Sequence, residues 1–483
     1  MRFNSWEFPV FFLIVWGVYL CLKRQPQNVW LIVISYFFYG WWDWRFCSLL
    51  AVSTITDYCC GLLLAENKLK WINWGGGAKY KKYVLCFSIV TNLSILGFFK
   101  YFNFFADSFE RVIAPFGLQA DFVTLNIILP VGISFYTFQT MAYTIDVYRG
   151  KEKACTNFID FALYVCYFPQ LVAGPIERAG NLIPQFAKAR NIDTVQFYNG
   201  IRLIFWGFFK KIFIADGVAP YVNDCFTNPS AYSGGTLLLG AYLFAIQIYG
   251  DFSGYTDIAR GVSRLFGIEL CLNFRQPYLA SNITDFWRRW HISLSSWLRD
   301  YLYIPLGGNR NGKYRTYINL MLTMLLGGLW HGAALTFIIW GGLHGLYLAV
   351  HKAVTGKRVN GSVRENTAPS LKERLVKLLG MIVTFHLVCF AWIFFRANTL
   401  PEALAYLSGI IHSGGVSING ITTTFVFYMI CVFLIDTLCE RRNSEVPILP
   451  KNPALRGLAY AVALFMITFI GGNNADPFIY FQF

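Results

Sequence analysis

Charged side chains are scarce in this sequence. Asp, Glu, Lys and Arg make up 14% of its 483 residues, whereas apolar residues make up 56%. Soluble domains carry roughly a quarter of their residues charged, so the sequence leaves little room for a separate soluble domain. The apolar residues form runs long enough for membrane-crossing helices of about 20 residues. The sequence therefore predicts an all-α, polytopic membrane protein.

Motifs that bind metals or build disulfide frameworks are missing as well. The 12 cysteines include no Cys-x-x-Cys pair, and many of them lie inside apolar runs. Cys59 and Cys60 are adjacent, which is poor geometry for a structural bridge. We interpret the cysteines as small core side chains and predict neither a metal site nor a disulfide framework.

The net charge of +15 is explained by membrane topology and does not indicate a nucleic acid partner. Lys and Arg cluster in short loops between apolar runs, and such loops face the cytoplasm. The basic loops at residues 23–24, 68–82 and 149–153 agree on one orientation. This orientation predicts that both the N-terminus and the C-terminus are extracytoplasmic.

The apolar runs predict about 11 transmembrane helices in a single domain, residues 1–483. Residues 158–173 are apolar but short and contain Pro169, which predicts a re-entrant segment, because a broken helix in a membrane must be covered by protein or water. Residues 351–377 are polar and predict a cytoplasmic linker. The apolar runs behind this estimate number twelve: residues 8–22, 29–39, 46–64, 83–99, 127–145, 197–215, 235–249, 317–330, 333–350, 378–395, 425–438 and 458–471.

Residues 284–302 predict an amphipathic helix, with Thr284 as its cap. At helical spacing, one face collects Trp, Leu and Tyr side chains together with His291, and the other face is basic and polar. Such a helix suits the membrane interface or a polar cleft. The basic face then meets either lipid headgroups or the phosphates of a cytosolic donor.

Polar side chains recur inside two apolar segments. Ser134 and Gln139 lie in the first segment, and Asp251 and Asp257 lie in the second. Hydrogen bonds between helices are one explanation for such groups. Alternatively, these residues line a cavity, where the two carboxylates orient a histidine or mark the cavity mouth.

His331 is the strongest candidate for chemistry. It lies in the sequence Trp330-His331-Gly332, after an apolar run that starts near Tyr317. Fourteen helical residues rise roughly 20 Å, which places His331 beyond the bilayer midplane. An ionisable group at that depth is expected to be functional, and histidine moves protons near neutral pH. Gly327 and Gly328 are expected to loosen the helix just before it, whereas no polar cluster surrounds the other span histidines, His344 and His386.

Six ordered segments of the sequence carry a specific resemblance. They are residues 130–150, 168–178, 249–261, 285–291, 303–310 and 330–332. They resemble the membrane-bound O-acyltransferase (MBOAT) family over most of the chain, and in particular its bacterial envelope branch of AlgI-like and PatA-like polysaccharide O-acetylation proteins. The resemblance implies a ring of membrane helices around a thin, funnelled core in the bacterial cytoplasmic membrane.

The same resemblance implies acyl transfer across the membrane. His331 would be the general base, typically contributing about 10² to 10⁴ in rate, and His291 would orient or stabilise. Acetyl-CoA would be the donor, with no metal, and the partners would be a polysaccharide and an extracytoplasmic SGNH-type acetyltransferase or esterase-like protein. The basic side chains expected to bind the donor are Arg288, Arg289, Arg299, Arg310, Lys313 and Arg315.

Two other functions stay open at this point. A DltB-like protein would transfer D-alanine from a carrier protein to a cell-wall polymer. A transporter or flippase would not be an enzyme, and it would predict inverted repeats that the sequence does not reveal.

The C-terminal tail, residues 473–483, is unusually aromatic for an extracytoplasmic end. Its rings either anchor at the membrane interface or fold back into the outer funnel. Tyr480 carries the only hydroxyl of the tail. In the second arrangement, Tyr480 would face His331 and hold an acyl ester before a partner accepts it.

Overall fold

The computed structural model describes residues 1–65, 78–116, 129–172, 174–355, 370–415, 420–471 and 479. Every regular element in these ranges is a helix, which confirms the all-α prediction. Tyr480 and most of the aromatic tail lie outside the described residues, as do residues 66–77 of one basic loop.

The chain forms two compact units. The first comprises Met1–Ile204 and Thr256–Cys271, and the second comprises Phe205–Tyr255 and Leu272–Phe483. The organisation as one transmembrane domain stays a prediction. The α-helices are α1 Glu7–Leu20, α2 Arg24–Gly40, α3 Cys47–Leu64, α4 Ala78–Ile113, α5 Ile133–Tyr148, α6 Phe158–Cys166, α7 Phe168–Leu171, α8 Ala179–Ala187, α9 Thr194–Phe208, α10 Gly217–Thr227, α11 Gly234–Leu265, α12 Ile283–Arg289, α13 Ile292–Leu298, α14 Gly312–His331, α15 Leu335–Thr355, α16 Leu371–Arg396, α17 Leu400–His412, α18 Gly420–Arg441 and α19 Pro453–Phe465.

Shorter helical segments of other types join these helices. Three are π-helical, Phe209–Asp216, Arg299–Tyr303 and Met466–Ile470. The 3₁₀ segments are Trp44–Phe46, Ala114–Phe116, Pro229–Ala231 and Pro277–Leu279.

Six helices in the described ranges are long and apolar enough to cross a membrane, so the protein is a multi-pass membrane protein. The prediction of about 11 spans is not confirmed by this measure. Helix α1 and the segment Phe158–Leu171 are apolar but shorter. The six candidate spans are Trp44–Leu64, Lys79–Glu110, Gly234–Leu265, Leu371–Arg396, Gly420–Arg441 and Pro453–Ile470.

The apolar segment 158–173 is interrupted, as the sequence predicts. Asn157 caps α6 by accepting from two backbone N–H groups, and the helix stops before Tyr167. Pro169 then lies at the start of α7, where its missing N–H breaks no helical hydrogen bond.

Two predicted spans have other bounds in the structure. Residues 127 and 128 of the predicted span 127–145 lie outside the described residues, and helix α5 begins only at Ile133, because Pro130 starts a turn that Gly132 completes with φ +77°. Helix α11 continues to Leu265, far beyond the predicted end at residue 249. The cytoplasmic linker at residues 351–377 stays a prediction, because residues 356–369 lie outside the described residues; α15 reaches Thr355 before them, and a Ser370–Glu373 capping box starts α16 after them.

Candidate active site

His331 is the last residue of α14 and is buried, with 4% of its surface exposed. The expected loosening at Gly327 and Gly328 is not found, because the helix is continuous through both residues. Gly328 instead permits close packing of α15: a Cβ at this position would lie 2.2 Å from the carbonyl oxygen of Phe337. His331 is therefore presented by a tightly packed helix pair.

His291 lies in a sharp turn and not in a continuous amphipathic helix, so that prediction is wrong. Helix α12 ends at Arg289, and α13 starts at Ile292. Between them, His291 has a left-handed backbone with φ 42° and ψ 56°. A non-glycine residue seldom adopts this conformation unless its surroundings hold it there, and such residues cluster at functional sites.

The predicted cap of this segment is also wrong. Asn282 caps α12 by accepting from the backbone N–H of Asp285. Thr284 lies inside the helix, and its hydroxyl is 2.9 Å from Nδ1 of His351 on α15. The short helix is thus tied to α15.

Asn273, which the sequence reasoning missed, holds the turn at His291. Its backbone oxygen accepts from the N–H of Ile292 at 2.9 Å. Its Oδ1 accepts from the N–H of Ser293 at 3.2 Å and from the Ser293 hydroxyl at 2.9 Å. The side chain of Asn273 therefore fixes both backbone and side-chain atoms across the turn.

The same Oδ1 determines which ring nitrogen of His291 carries the proton. Nδ1 of His291 lies 3.1 Å from Oδ1 of Asn273. This oxygen also accepts from the backbone N–H of Ser293, so it acts as a hydrogen-bond acceptor. Nδ1 therefore carries the proton and Nε2 carries the lone pair, an assignment from the hydrogen-bond pattern. His291 lies outside the candidate spans, and burial lowers its pKa to about 3, which keeps the ring neutral.

The structure brings His291 and His331 together. Their ring centroids are 6.4 Å apart. Trp330 contacts both rings, at 6.0 Å from His291 and 4.9 Å from His331. Two imidazole rings at this separation belong to one buried site.

Aromatic side chains enclose His331 on its other sides. Its ring is 4.9 Å from Trp340 of α15 and 5.4 Å from Phe395 of α16. Trp392 stacks on Trp340 at 5.7 Å and 20°. These apolar walls lower the local dielectric, which strengthens electrostatic interactions at the site.

His344 belongs to this cluster, although the sequence predicts no polar surroundings for it. Its ring lies 4.9 Å from Trp340, and its Nδ1 accepts from the indole N–H of Trp287 at 3.2 Å. Thr336, Trp340 and His344 recur every four residues, which is the sequence signal that could have revealed their common face. His386, in contrast, is exposed on α16.

Asp251 has partners other than a histidine. Its Oδ1 lies 2.7 Å from Nζ of Lys211, which also pairs with Asp216 at 2.8 Å. Its Oδ2 accepts from the backbone N–H of Ile479 at 2.7 Å. Ile479 itself is buried within the second unit. The next residue on α11, Phe252, contacts the ring of His291 at 4.7 Å.

The other predicted cavity residues have structural contacts in the first unit. The side-chain amide of Gln139 donates to the backbone carbonyl of Tyr164. The hydroxyl of Tyr164 donates in turn to the backbone carbonyl of Gln139 at 3.0 Å. Ser134 accepts from Lys100 at 3.4 Å. These contacts fit the helix-to-helix hydrogen bonds that the sequence left as an alternative.

Asp257 also lies in the first unit, 3.9 Å from the guanidinium of Arg260, three residues along the helix.

Within the ranges that the structure describes, no group of three or more His, Cys, Asp and Glu side chains is arranged to hold a metal ion.

The predicted donor-binding side chains differ in their surroundings. Arg289 lies between Asp285 at 3.1 Å and Glu440 at 3.0 Å. Arg299 pairs with Asp300 at 2.8 Å. These two guanidiniums are already engaged with carboxylates. The other four side chains are exposed: Arg288, Arg310, Lys313 and Arg315.

Comparison with known proteins identifies the family of the chain. The sequence profile of the membrane-bound O-acyltransferase family matches residues 36–358. A Pseudomonas putida protein named probable alginate O-acetylase AlgI is 39% identical over the full length of both chains. The protein of that name from Pseudomonas aeruginosa is 44% identical over 83% of this chain and 73% of its own length. The Helicobacter pylori peptidoglycan O-acetyltransferase is 34% identical over 96% of this chain and 94% of its own.

The chain belongs to the membrane-bound O-acyltransferase family. It is an AlgI-like, multi-pass membrane enzyme that transfers acyl groups.

Proposed function

We propose that this protein transfers an acetyl group from cytoplasmic acetyl-CoA across the bacterial cytoplasmic membrane, for O-acetylation of an extracytoplasmic polysaccharide. The buried pair of His291 and His331, 6.4 Å apart, is the observation that carries the proposal. The printed names of relatives that act on alginate and peptidoglycan support the polysaccharide class.

His331 acts as the general base in this proposal. An acceptor hydroxyl gives its proton to a ring nitrogen of His331 while its oxygen attacks the thioester carbonyl carbon. The C–S bond then breaks, and the departing sulfur takes up a proton to leave as the CoA thiol. The aromatic walls around His331 keep bulk water from competing as acceptor.

His291 supports the same acceptor oxygen. Because Nδ1–H is committed to Asn273, Nε2 presents a lone pair. A neutral ring accepts a hydrogen bond and orients the hydroxyl without adding a second positive charge beside His331. The contact of Asn273 with Ser293 keeps this orientation fixed.

The donor enters from the cytoplasmic side in this proposal. Arg288, Arg310, Lys313 and Arg315 are exposed and can make charge-assisted bonds to the phosphates of CoA. Arg289 and Arg299 shape this surface through their carboxylate pairs.

The tail carries the acyl group outward in the last part of the proposal. Ile479 is anchored to Asp251, beside the turn of α11 that contacts His291. Tyr480 is the next residue, and its phenol would be the first acceptor. The resulting ester would then pass its acetyl group to an extracytoplasmic SGNH-type partner, which acetylates the polymer.

The test compares His331→Ala with His386→Ala, which removes an exposed histidine from α16. Polymer acetylation from labelled acetyl-CoA is measured in cells that contain equal amounts of folded protein. We expect a loss of at least about a hundredfold in His331→Ala, because the base is removed, and activity near wild type in His386→Ala. Near-normal acetylation by His331→Ala would contradict the assignment.

The same assay separates the other functions. Transfer from a D-alanyl carrier protein, with none from acetyl-CoA, would favour a D-alanyl transferase. Movement of a solute that is independent of His331 would favour a transporter.

A further inference from the structure

One face of α15 carries three buried polar side chains, Thr336, Trp340 and His344. They recur every four residues and therefore lie one above another along the helix. Their exposed fractions are 1%, 1% and 0%. We refer to these three residues as the α15 polar face.

Each member of the α15 polar face has a buried polar atom that needs a partner. Oγ1 of Thr336, Nε1 of Trp340 and Nε2 of His344 have no hydrogen-bond partner among the residues that the structure describes. In well-determined proteins, roughly 90% or more of buried polar groups have a partner. Three such atoms on one helix face make this face a candidate for binding a polar group.

Trp392 of α16 adds a fourth atom of this kind. Its Nε1 is likewise buried without a partner in the described part of the chain. Its ring stacks on Trp340 at 5.7 Å and lies 6.5 Å from the ring of His344. The four polar atoms thus come from one cluster within the second unit.

The chemistry of the cluster is that of a hydrogen-bond donor. An indole nitrogen can only donate, so Trp340 and Trp392 each offer one N–H. Because Trp287 donates to Nδ1 of His344, that nitrogen carries the lone pair and Nε2 carries the proton. The three nitrogens therefore all require an acceptor atom.

The position of the cluster beside His331 bears on which acceptor it would bind. Trp340 contacts the ring of His331 at 4.9 Å, so a group bound by Trp340 lies beside the proposed base. In acyl transfer, the atom that gains negative charge beside the attacked carbon is the carbonyl oxygen. Donors aimed at that oxygen in an apolar site stabilise the transition state.

We propose that Trp340, Trp392 and His344 bind the carbonyl oxygen of the acyl thioester and stabilise the negative charge that develops on it. Thr336 extends the same polar face toward the His331 end of α15. This inference rests on the proposed acyl transfer. It assigns the residues that stabilise the charge on the carbonyl oxygen, a role that the histidine pair does not fill.

The experiment measures kcat and KM for acetyl-CoA, together with thermal stability, in purified protein that has its acceptor. Trp340→Phe and Trp392→Phe remove one N–H each while keeping an aromatic ring. Trp206→Phe is the matched control, because it also removes a buried indole N–H that lacks a described partner, and the ring contacts of Trp206 are with Phe205 and Phe209.

We expect kcat to fall by about 10² in Trp340→Phe, with little change in KM, because the lost interaction forms mainly in the transition state. Thermal stability should stay near wild type, since no existing hydrogen bond is broken. Trp206→Phe should keep wild-type kcat. His344→Gln retains a donor near the Nε2 position and should keep more activity than His344→Leu.

The outcomes separate two failures. If the wild-type protein moves no acetyl group from acetyl-CoA, the proposed function itself is wrong. If the wild type is active and both Trp340→Phe and Trp392→Phe keep kcat within about threefold, the carbonyl site is wrong. Losses that only follow lower melting temperatures would assign the cluster a structural role and would also overturn the proposal.

Discussion

At the residue scale, the left-handed turn at His291 depends on one side chain. Asn273 Oδ1 contacts both His291 and Ser293. We predict that Asn273→Leu, which is similar in size, lowers acetyl transfer by about tenfold or more, because it releases the ring orientation and leaves buried donors unpaired. Asn181→Leu is the control, since Asn181 bonds Glu177 in the first unit. Equal activity of wild type and Asn273→Leu would show that the orientation of His291 does not matter.

A pH prediction follows from the burial of His291. Burial lowers its pKa from the ordinary 6.5 to about 3, so the unfolded chain binds a proton that the folded protein rejects. Stability contributed by this group is therefore present above about pH 6.5 and is lost as pH falls toward 3. Melting temperatures of wild type and His291→Gln should converge as pH is lowered through this window. A constant difference between the two proteins at all pH values would contradict the prediction.

The sequence predicted the two central histidines but not the groups that control them. His331 is visible because an ionisable residue inside an apolar run is rare. The turn at His291 is hidden, because the apolar spacing from Trp287 to Leu298 continues across the break. Asn273 contacts its partners only after tertiary folding, so no local spacing reveals it.

At the element scale, the contact between α14 and α15 positions both His331 and the α15 polar face. A Cβ at Gly328 would lie 2.2 Å from the carbonyl oxygen of Phe337, and backbone atoms cannot yield as a flexible side chain does. We predict that Gly328→Ala separates the two helices, lowers the melting temperature and reduces activity by at least about tenfold. Gly17→Ala is the control, because nothing lies within 4 Å of the added methyl group.

The result would also decide between two explanations of the glycines. If a hinge were needed before His331, then Gly327→Ala should be as harmful as Gly328→Ala. If packing is the reason, Gly327→Ala should be milder, because its Cβ would meet only a Leu298 methyl group at 3.1 Å. Glycines that loosen a helix and glycines that allow close packing look alike in a sequence, which explains the wrong expectation.

At the scale of the whole molecule, composition predicted the membrane class, but the number of spans could not be counted from apolar runs. Helix α14 carries polar residues on its buried side, such as Asn319 and Thr323, and does not reach the apolarity of a simple span. Residues 158–171 are mostly apolar but too short. Polar groups at a buried site therefore lower the apolarity of some membrane helices, which a search for apolar runs then misses. Short apolar helices, in contrast, are easily mistaken for membrane spans.

Ile479, the described residue of the tail, contacts the interior of the second unit. The backbone N–H of Ile479 donates to Asp251, a carboxylate that is also paired with Lys211. Any residue type except proline at position 479 could make this backbone contact. Only the side chain of Tyr480 adds a nucleophilic hydroxyl. We predict that Tyr480→Phe, which keeps the ring, abolishes polymer acetylation, whereas Phe483→Leu keeps it, because the latter changes size without removing a hydroxyl.

Mass spectrometry of the tail peptide gives a second measurement. In cells that lack the extracytoplasmic partner, wild-type protein should accumulate an acetyl ester on Tyr480, and His331→Ala should not. Asp251→Asn keeps the shape of the side chain but weakens the anchor by removing its charge, so it should lower the acetylated fraction without abolishing it. Full activity of Tyr480→Phe, or a tail that is never acetylated without the partner, would leave the tail an anchoring role and make the polymer or the partner the direct acceptor.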